Sequence, residues 1–298
     1  MSKLFLLLTI VYWVNAAQIN RDVSNRIANG NIASELQFPY VVSLQQLGNA
    51  QASDTRGHRC GGVLVTLQHA LTAASCLFDV VSGNATVIKP NEYRIFAGSS
   101  ILTNDTSADR VRSIANFTIH PEYTGPPGFV NNIAIITFTT PYSNEVVQPL
   151  SLPPSDFEPA DFTLCTMAGW GGANASASAS TTLRYANKYI YNQYLCSSLY
   201  NPVPNSLNIL PSMVCAASYD TISSGCDRDV GNPLVCNNTL TGVLFGTDQC
   251  KSSSYPELYT RVSTYSTWIN SVSSAPTIFS SGTVMLYMIV VTFLLIGK

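Results

Sequence analysis

Three histidines, eight cysteines and a scatter of serines and acidic residues are the side chains in this 298-residue chain that could do chemistry. Hydrolysis by a hydroxyl nucleophile needs an imidazole to take its proton. It also needs a carboxylate to orient and charge-stabilise that imidazole. The only imidazoles on offer are His58, His69 and His120. The cysteines form no C-x-x-C pair and are even in number, which favours disulfides over zinc. No cofactor or metal is expected. The net charge of −2 gives no reason to expect nucleic-acid binding.

Such groups need a scaffold. Hydrophobic residues make up 46% of the chain, enough for a sizeable core, whereas charged residues make up 11%, well under the roughly 25% of an average globular protein. Between residues 27 and 272 the chain reads as short β-rich runs separated by Gly, Pro, Asn and Ser: 40–47, 62–67, 93–100, 133–138, 164–170, 232–236 and 240–246. This pattern predicts an all-β barrel or sandwich. Only 260–272 reads as a helix, with Val262, Tyr265 and Ile269 on one face. The polar run 174–182 reads as a flexible loop.

Both ends look like processing segments. Residues 1–16 carry Lys3, an apolar run and Val14-Asn15-Ala16, the pattern of a secretory signal cut after Ala16. Secretion agrees with disulfides. At the C-terminus, Ser273-Ser274-Ala275 precede a spacer, 276–282, and an apolar tail, 283–296. This is the pattern of a GPI-attachment signal, with Ser273 as the attachment residue; a membrane helix over 277–296 is the alternative. Either outcome tethers the protein to a membrane. Five N-x-S/T sequons, at Asn84, Asn104, Asn116, Asn174 and Asn237, are candidate glycosylation sites.

Six phrases then recur in order: "RIANG" (26–30), "CGGVLVTLQHALTAASC" (60–76), "NNIAIITF" (131–138), "CTMAGWG" (165–171), "GCDRDVGNPLVC" (225–236) and "YPELYTRVSTYSTWI" (255–269). Through them the chain resembles the chymotrypsin/trypsin family of serine proteases over residues 27–272. The resemblance implies a double six-stranded antiparallel β-barrel with a C-terminal helix and a cleft between the barrels. It implies the pairs Cys60–Cys76, Cys165–Cys236, Cys196–Cys215 and Cys226–Cys250. It also implies a short propeptide, 17–26, cut between Arg26 and Ile27, with the new Ile27 amine pairing with Asp229.

Carried over residue by residue, the resemblance implies a dismantled site. Ser75 stands where the family has its catalytic histidine, Asn132 where it has the aspartate, and Val230 where it has the nucleophilic serine. Serine cannot serve as general base near neutral pH, an amide cannot charge-stabilise an imidazolium, and valine has no hydroxyl. His58, His69 and His120 fall at structural positions. Around the specificity pocket, Ser224 would form the base and Phe245 and Gly246 a wall. Glu257 replaces a glycine and should crowd the pocket or put a carboxylate in it. Arg228 also replaces a glycine and would project at or over the cleft.

Three functions follow as expectations. The first is a secreted, membrane-tethered, non-catalytic serine protease homologue that binds a protein partner: a protease, an inhibitor or a peptide segment. The second is a serine-type endopeptidase, as the family label alone would have it. The third is a structural surface glycoprotein.

Overall fold

Runs of β-branched and aromatic residues broken by turn residues fold as short antiparallel strands. The computed structural model describes residues 30–50, 55–102, 107, 109–172, 178–201, 207–220, 223–226, 228–246 and 255–274. The chain opens on β1 (Asn31–Ile32), β2 (Val41–Gln46), the one-turn α1 (Leu47–Ala50), β3 (His58–Leu64) and β4 (His69–Thr72). A hairpin of β5 (Phe78–Val81) and β6 (Asn84–Val87) follows, then β7 (Tyr93–Phe96), β8 (Val111–Ile119) and β9 (Ala134–Phe138). The second half holds β10 (Leu164–Gly169), β11 (Arg184–Tyr191), α2 (Gln193–Tyr200), β12 (Met213–Ser218), β13 (Pro233–Cys236), β14 (Thr239–Gly246), β15 (Glu257–Arg261) and α3 (Val262–Ser273).

The first barrel closes in the order β2-β3-β4-β9-β8-β7. The second runs β11-β10-β13-β14-β15-β12 and closes through β11–β12, with β1 added beside β11. Closure pairs the strand edges that would otherwise invite aggregation. The expected double six-stranded barrel with a C-terminal helix is therefore the fold. The second barrel is filled by Met167, Ala186, Ile190, Val214, Leu234, Leu244 and Tyr259. Each fully buried aliphatic side chain contributes about 1.5–3 kcal/mol.

The strand period decides what enters this core. Along β11, Ala186, Lys188 and Ile190 are buried while Asn187 is exposed. A lysine thus occupies an inward position. The helix expected at the end begins two residues later than the sequence suggests, because Thr260 and Arg261 still pair as strand. Its expected face, Val262, Tyr265 and Ile269, is buried. Tyr265 and Trp268 flank the His120 ring, and Ser266 Oγ donates to the Pro153 carbonyl, so the helix also reaches the segments around His120 and Pro153.

The short helix α2 was not expected. Asn192 caps it by accepting a hydrogen bond from the Leu195 N–H. Three of the four expected disulfides are present: Cys60–Cys76, Cys165–Cys236 and Cys196–Cys215. Cys226 is also disulfide-bonded, and its expected partner, Cys250, lies outside the described residues. So do the signal segment, the propeptide, the apolar tail, Asn104 and Asn174. Ser273 lies in the last turn of α3. Among the described residues, no helix is long and apolar enough to cross a membrane.

Candidate functional site

Ser75 sits in the 3₁₀ turn Ala74–Leu77 that follows β4, and Asn132 lies two residues before β9. Because β4 and β9 pair, these positions meet. Asn132 is fully buried; its Oδ1 accepts the Ser75 backbone N–H at 2.9 Å, and its Nδ2 donates to Ser75 Oγ at 3.2 Å. The Asn132 carbonyl in turn accepts a bond from Thr260 Oγ1 at 2.8 Å. Tyr123 adds a side-chain hydrogen bond to Ser75, and burial pushes the Tyr123 hydroxyl up to about 12, so it stays protonated. Val230 closes the group: its carbonyl accepts the Gly61 N–H at 2.9 Å and lies 3.5 Å from Cys76 Sγ. The three positions singled out from the sequence are thus gathered in one place. They present two amide or hydroxyl dipoles and an aliphatic side chain.

The histidines are engaged elsewhere. His58 is fully buried, with Nδ1 2.7 Å from Ser43 Oγ and Nε2 3.0 Å from the Arg228 carbonyl. A carbonyl only accepts, so Nε2 carries the proton and Nδ1 accepts from the serine. Burial pushes His58 down to about 4, so the ring is neutral. His69 bonds Thr66 Oγ1 through Nδ1 at 2.8 Å, and His120 accepts the Glu122 N–H at 3.3 Å.

Of the residues expected around a pocket, Glu257 is held by Lys188, a residue the sequence did not single out. Glu257 is buried and turns its carboxylate inward. Its Oε1 accepts from Lys188 Nζ at 2.7 Å and from the Gly225 N–H at 2.5 Å, while Oε2 accepts from the Tyr259 hydroxyl at 2.5 Å. Lys188 is fully buried and also donates to Ser218 Oγ at 2.9 Å and the Ser223 carbonyl at 3.1 Å. Burial and the Glu257 charge hold the Tyr259 hydroxyl well above its ordinary range, so it remains a donor. The Glu257 carboxylate is thus enclosed by residues of the second barrel and fully paired there. Ser224 is buried with its hydroxyl donated to the Gly225 carbonyl. Phe245, buried, faces Phe129 across 6.3 Å, and Gly246 ends β14.

Arg228 reaches across to the first barrel, where Nη1 donates to the His58 carbonyl at 2.9 Å. Its φ of 75° is left-handed, a conformation that costs a non-glycine residue of order 1 kcal/mol or more. Asp229 is fully buried; Oδ1 accepts from the Gly171 N–H at 2.9 Å and Asn232 Nδ2 at 2.8 Å, and Oδ2 accepts from the Cys226 N–H at 3.0 Å. Burial nonetheless pushes its carboxyl up to about 7. Arg26 and Ile27 lie outside the described residues. The sequons at Asn84, Asn116 and Asn237 are exposed.

Comparison with known proteins agrees with this geometry. The trypsin family profile matches residues 27–269. Trypsin alpha-4 of Lucilia cuprina is 30% identical over 85% of this chain and 90% of its own length. A chymotrypsin-like serine proteinase of Haliotis rufescens is 29% identical over 88% of this chain and 98% of its own. The structure of neuropsin, a serine protease expressed in mouse brain, superposes with a TM-score of 0.67 at 28% identity, covering 82% of this chain and 98% of its own. Two six-stranded barrels, disulfides in the expected pattern and a profile match across the whole domain lead to one conclusion: the chain belongs to the trypsin family.

Proposed function

We propose that this trypsin-family chain has no peptidase activity, is secreted, is held at the outer face of a membrane by its C-terminal segment, and works by binding a protein. The observation that carries the reading is the Ser75–Asn132 pair beside Val230. No group there can take a proton or carry the balancing negative charge, so the Ser75 hydroxyl is left unactivated, and Val230 has no hydroxyl at all. The neutral, doubly bonded His58 is no substitute. The Lys188–Glu257 pair supports the same reading, since it neutralises a carboxylate that would otherwise be open to a cationic substrate side chain. A maintained fold with an inactive cleft suits a scaffold, a cofactor of an active protease, or a decoy for its inhibitors.

The test uses the glycosylated ectodomain, both intact and cut after Arg26, with a fluorophosphonate probe and a panel of peptide substrates. The expected result is no labelling and no turnover above a heat-killed control. Labelling of either form would instead support the serine-type endopeptidase reading, which the family match favours. Release from cells by phosphatidylinositol-specific phospholipase C is expected for the lipid anchor; retention would favour a membrane helix. Cross-linking at the native cell surface distinguishes a binding role from a purely structural glycoprotein.

A further inference from the structure

The turn Arg228–Asn232 has nearly every backbone group tied. The Arg228 carbonyl accepts from His58, the Asp229 N–H donates to the Cys226 carbonyl, and the Val230 carbonyl accepts from Gly61. The Gly231 N–H donates to Leu244 O, and Asn232 O accepts the Leu244 N–H. At the centre sits Asn232, fully buried. Its backbone N–H donates to the Asp229 carbonyl at 3.0 Å and its side-chain Nδ2 to the Asp229 carboxylate at 2.8 Å. Its amide is wedged between Gly61 of β3, in the first barrel, and Gly169 of β10, in the second; a Cβ on either glycine would overlap the amide. Among the described residues its buried Oδ1 meets no donor, a cost that a merely space-filling residue would not carry.

We infer that Asn232 is an internal clasp: its amide supplies Asp229 with the donor that sets the Arg228–Asn232 turn, so the turn is formed while the Arg26–Ile27 bond is intact. Asp229 then has amide donors on both oxygens from Gly171, Cys226 and Asn232, all within the folded domain. Cleavage at Arg26 is accordingly not the event that orders this face. The face is permanently presented, and the inference stands whether or not the domain hydrolyses peptides.

The experiment compares amide hydrogen exchange in three ectodomains: Arg26→Gln, which cannot be cut; the wild type cut after Arg26; and Arg26→Gln combined with Asn232→Gly. The expected result is protection of the Asp229, Gly231, Asn232 and Leu244 amides that agrees within about twofold between the first two, and falls at least about tenfold in the third. Asn232→Ser in the Arg26→Gln background serves as a milder variant, with an intermediate loss expected, so that a glycine variant that does not fold leaves the comparison readable. Protection that appears in the wild type only after cleavage would overturn the inference. So would unchanged protection in both Asn232 variants.

Discussion

Lys188 and Glu257 form an ion pair removed from water, and the energetics of such pairs are asymmetric. Breaking one partner leaves a bare buried charge, whereas removing both is far milder. Lys188→Met is therefore expected to destabilise the domain by about 3–5 kcal/mol, and Lys188→Met with Glu257→Gln to recover most of that, as measured by urea unfolding. A second residue-scale prediction concerns pH. His58, pushed down to about 4 by burial, stays neutral where the unfolded imidazole, near 6.5, protonates; its contribution to stability is lost as pH falls through that interval. Asp229, pushed up to about 7 by burial and by Glu257, against the amides of Cys226 and Gly171 and the Lys188 charge, behaves oppositely. Its folded form holds a proton that the unfolded chain has released, so its contribution is lost as pH rises from about 4 to 7. Each effect is worth about 3–4 kcal/mol. The two effects therefore oppose each other across this range. Asp229→Asn should leave a profile that rises with pH and His58→Gln one that falls, read from unfolding midpoints in urea at each pH. The meeting of Ser75 with Asn132 was legible because the phrases that carry them mark the paired strands β4 and β9. Lys188 and Asn232 were not, because their roles depend on partners 69 and 3 residues away that only the fold brings into contact.

At the scale of elements, legibility followed the hydrophobic period. Strands β9, β13 and β14 are almost continuously buried and were readable as apolar runs. Strands β8 and β11 were not, because each puts a cation at an inward position. Arg112 lies buried with its guanidinium 4.1 Å from the Tyr142 ring centroid, and Lys188 occupies the matching kind of position in β11. Helix α2 escaped notice for a related reason: Cys196 is its only buried residue, while Tyr194, Leu195 and Leu199 are exposed, so it has no apolar stripe to read. The strands β3 and β10 hold Gly61 and Gly169 close against Asn232, which predicts a specific epistasis. Gly169→Ala should destabilise by about 1–3 kcal/mol through overpacking, and adding Asn232→Ala should relieve part of that cost, as measured by thermal unfolding of the single and double variants.

For the whole molecule, two closed barrels share one seam, and the residues of interest line it: Ser75 and Asn132 from the first half, Val230 and Asn232 from the second. The exposed sequons at Asn84, Asn116 and Asn237 are expected to carry glycans, giving a three-site mass loss on enzymatic deglycosylation beyond any at the sites outside the described residues. The reciprocal bonds between Ser75 and Asn132 also bear on ancestry. Ser75→His alone would set an imidazole against an uncharged amide. Asn132→Asp alone would bury a carboxylate that has nothing to orient, and Val230→Ser alone would add a hydroxyl with no base. On the non-catalytic reading proposed above, each of these single substitutions supplies one part of a triad without the other two, so no one of them is expected to produce turnover of a peptide substrate. A return to hydrolysis would then need all three positions to change together, which makes the Ser75–Asn132 contact a lock as well as a bond.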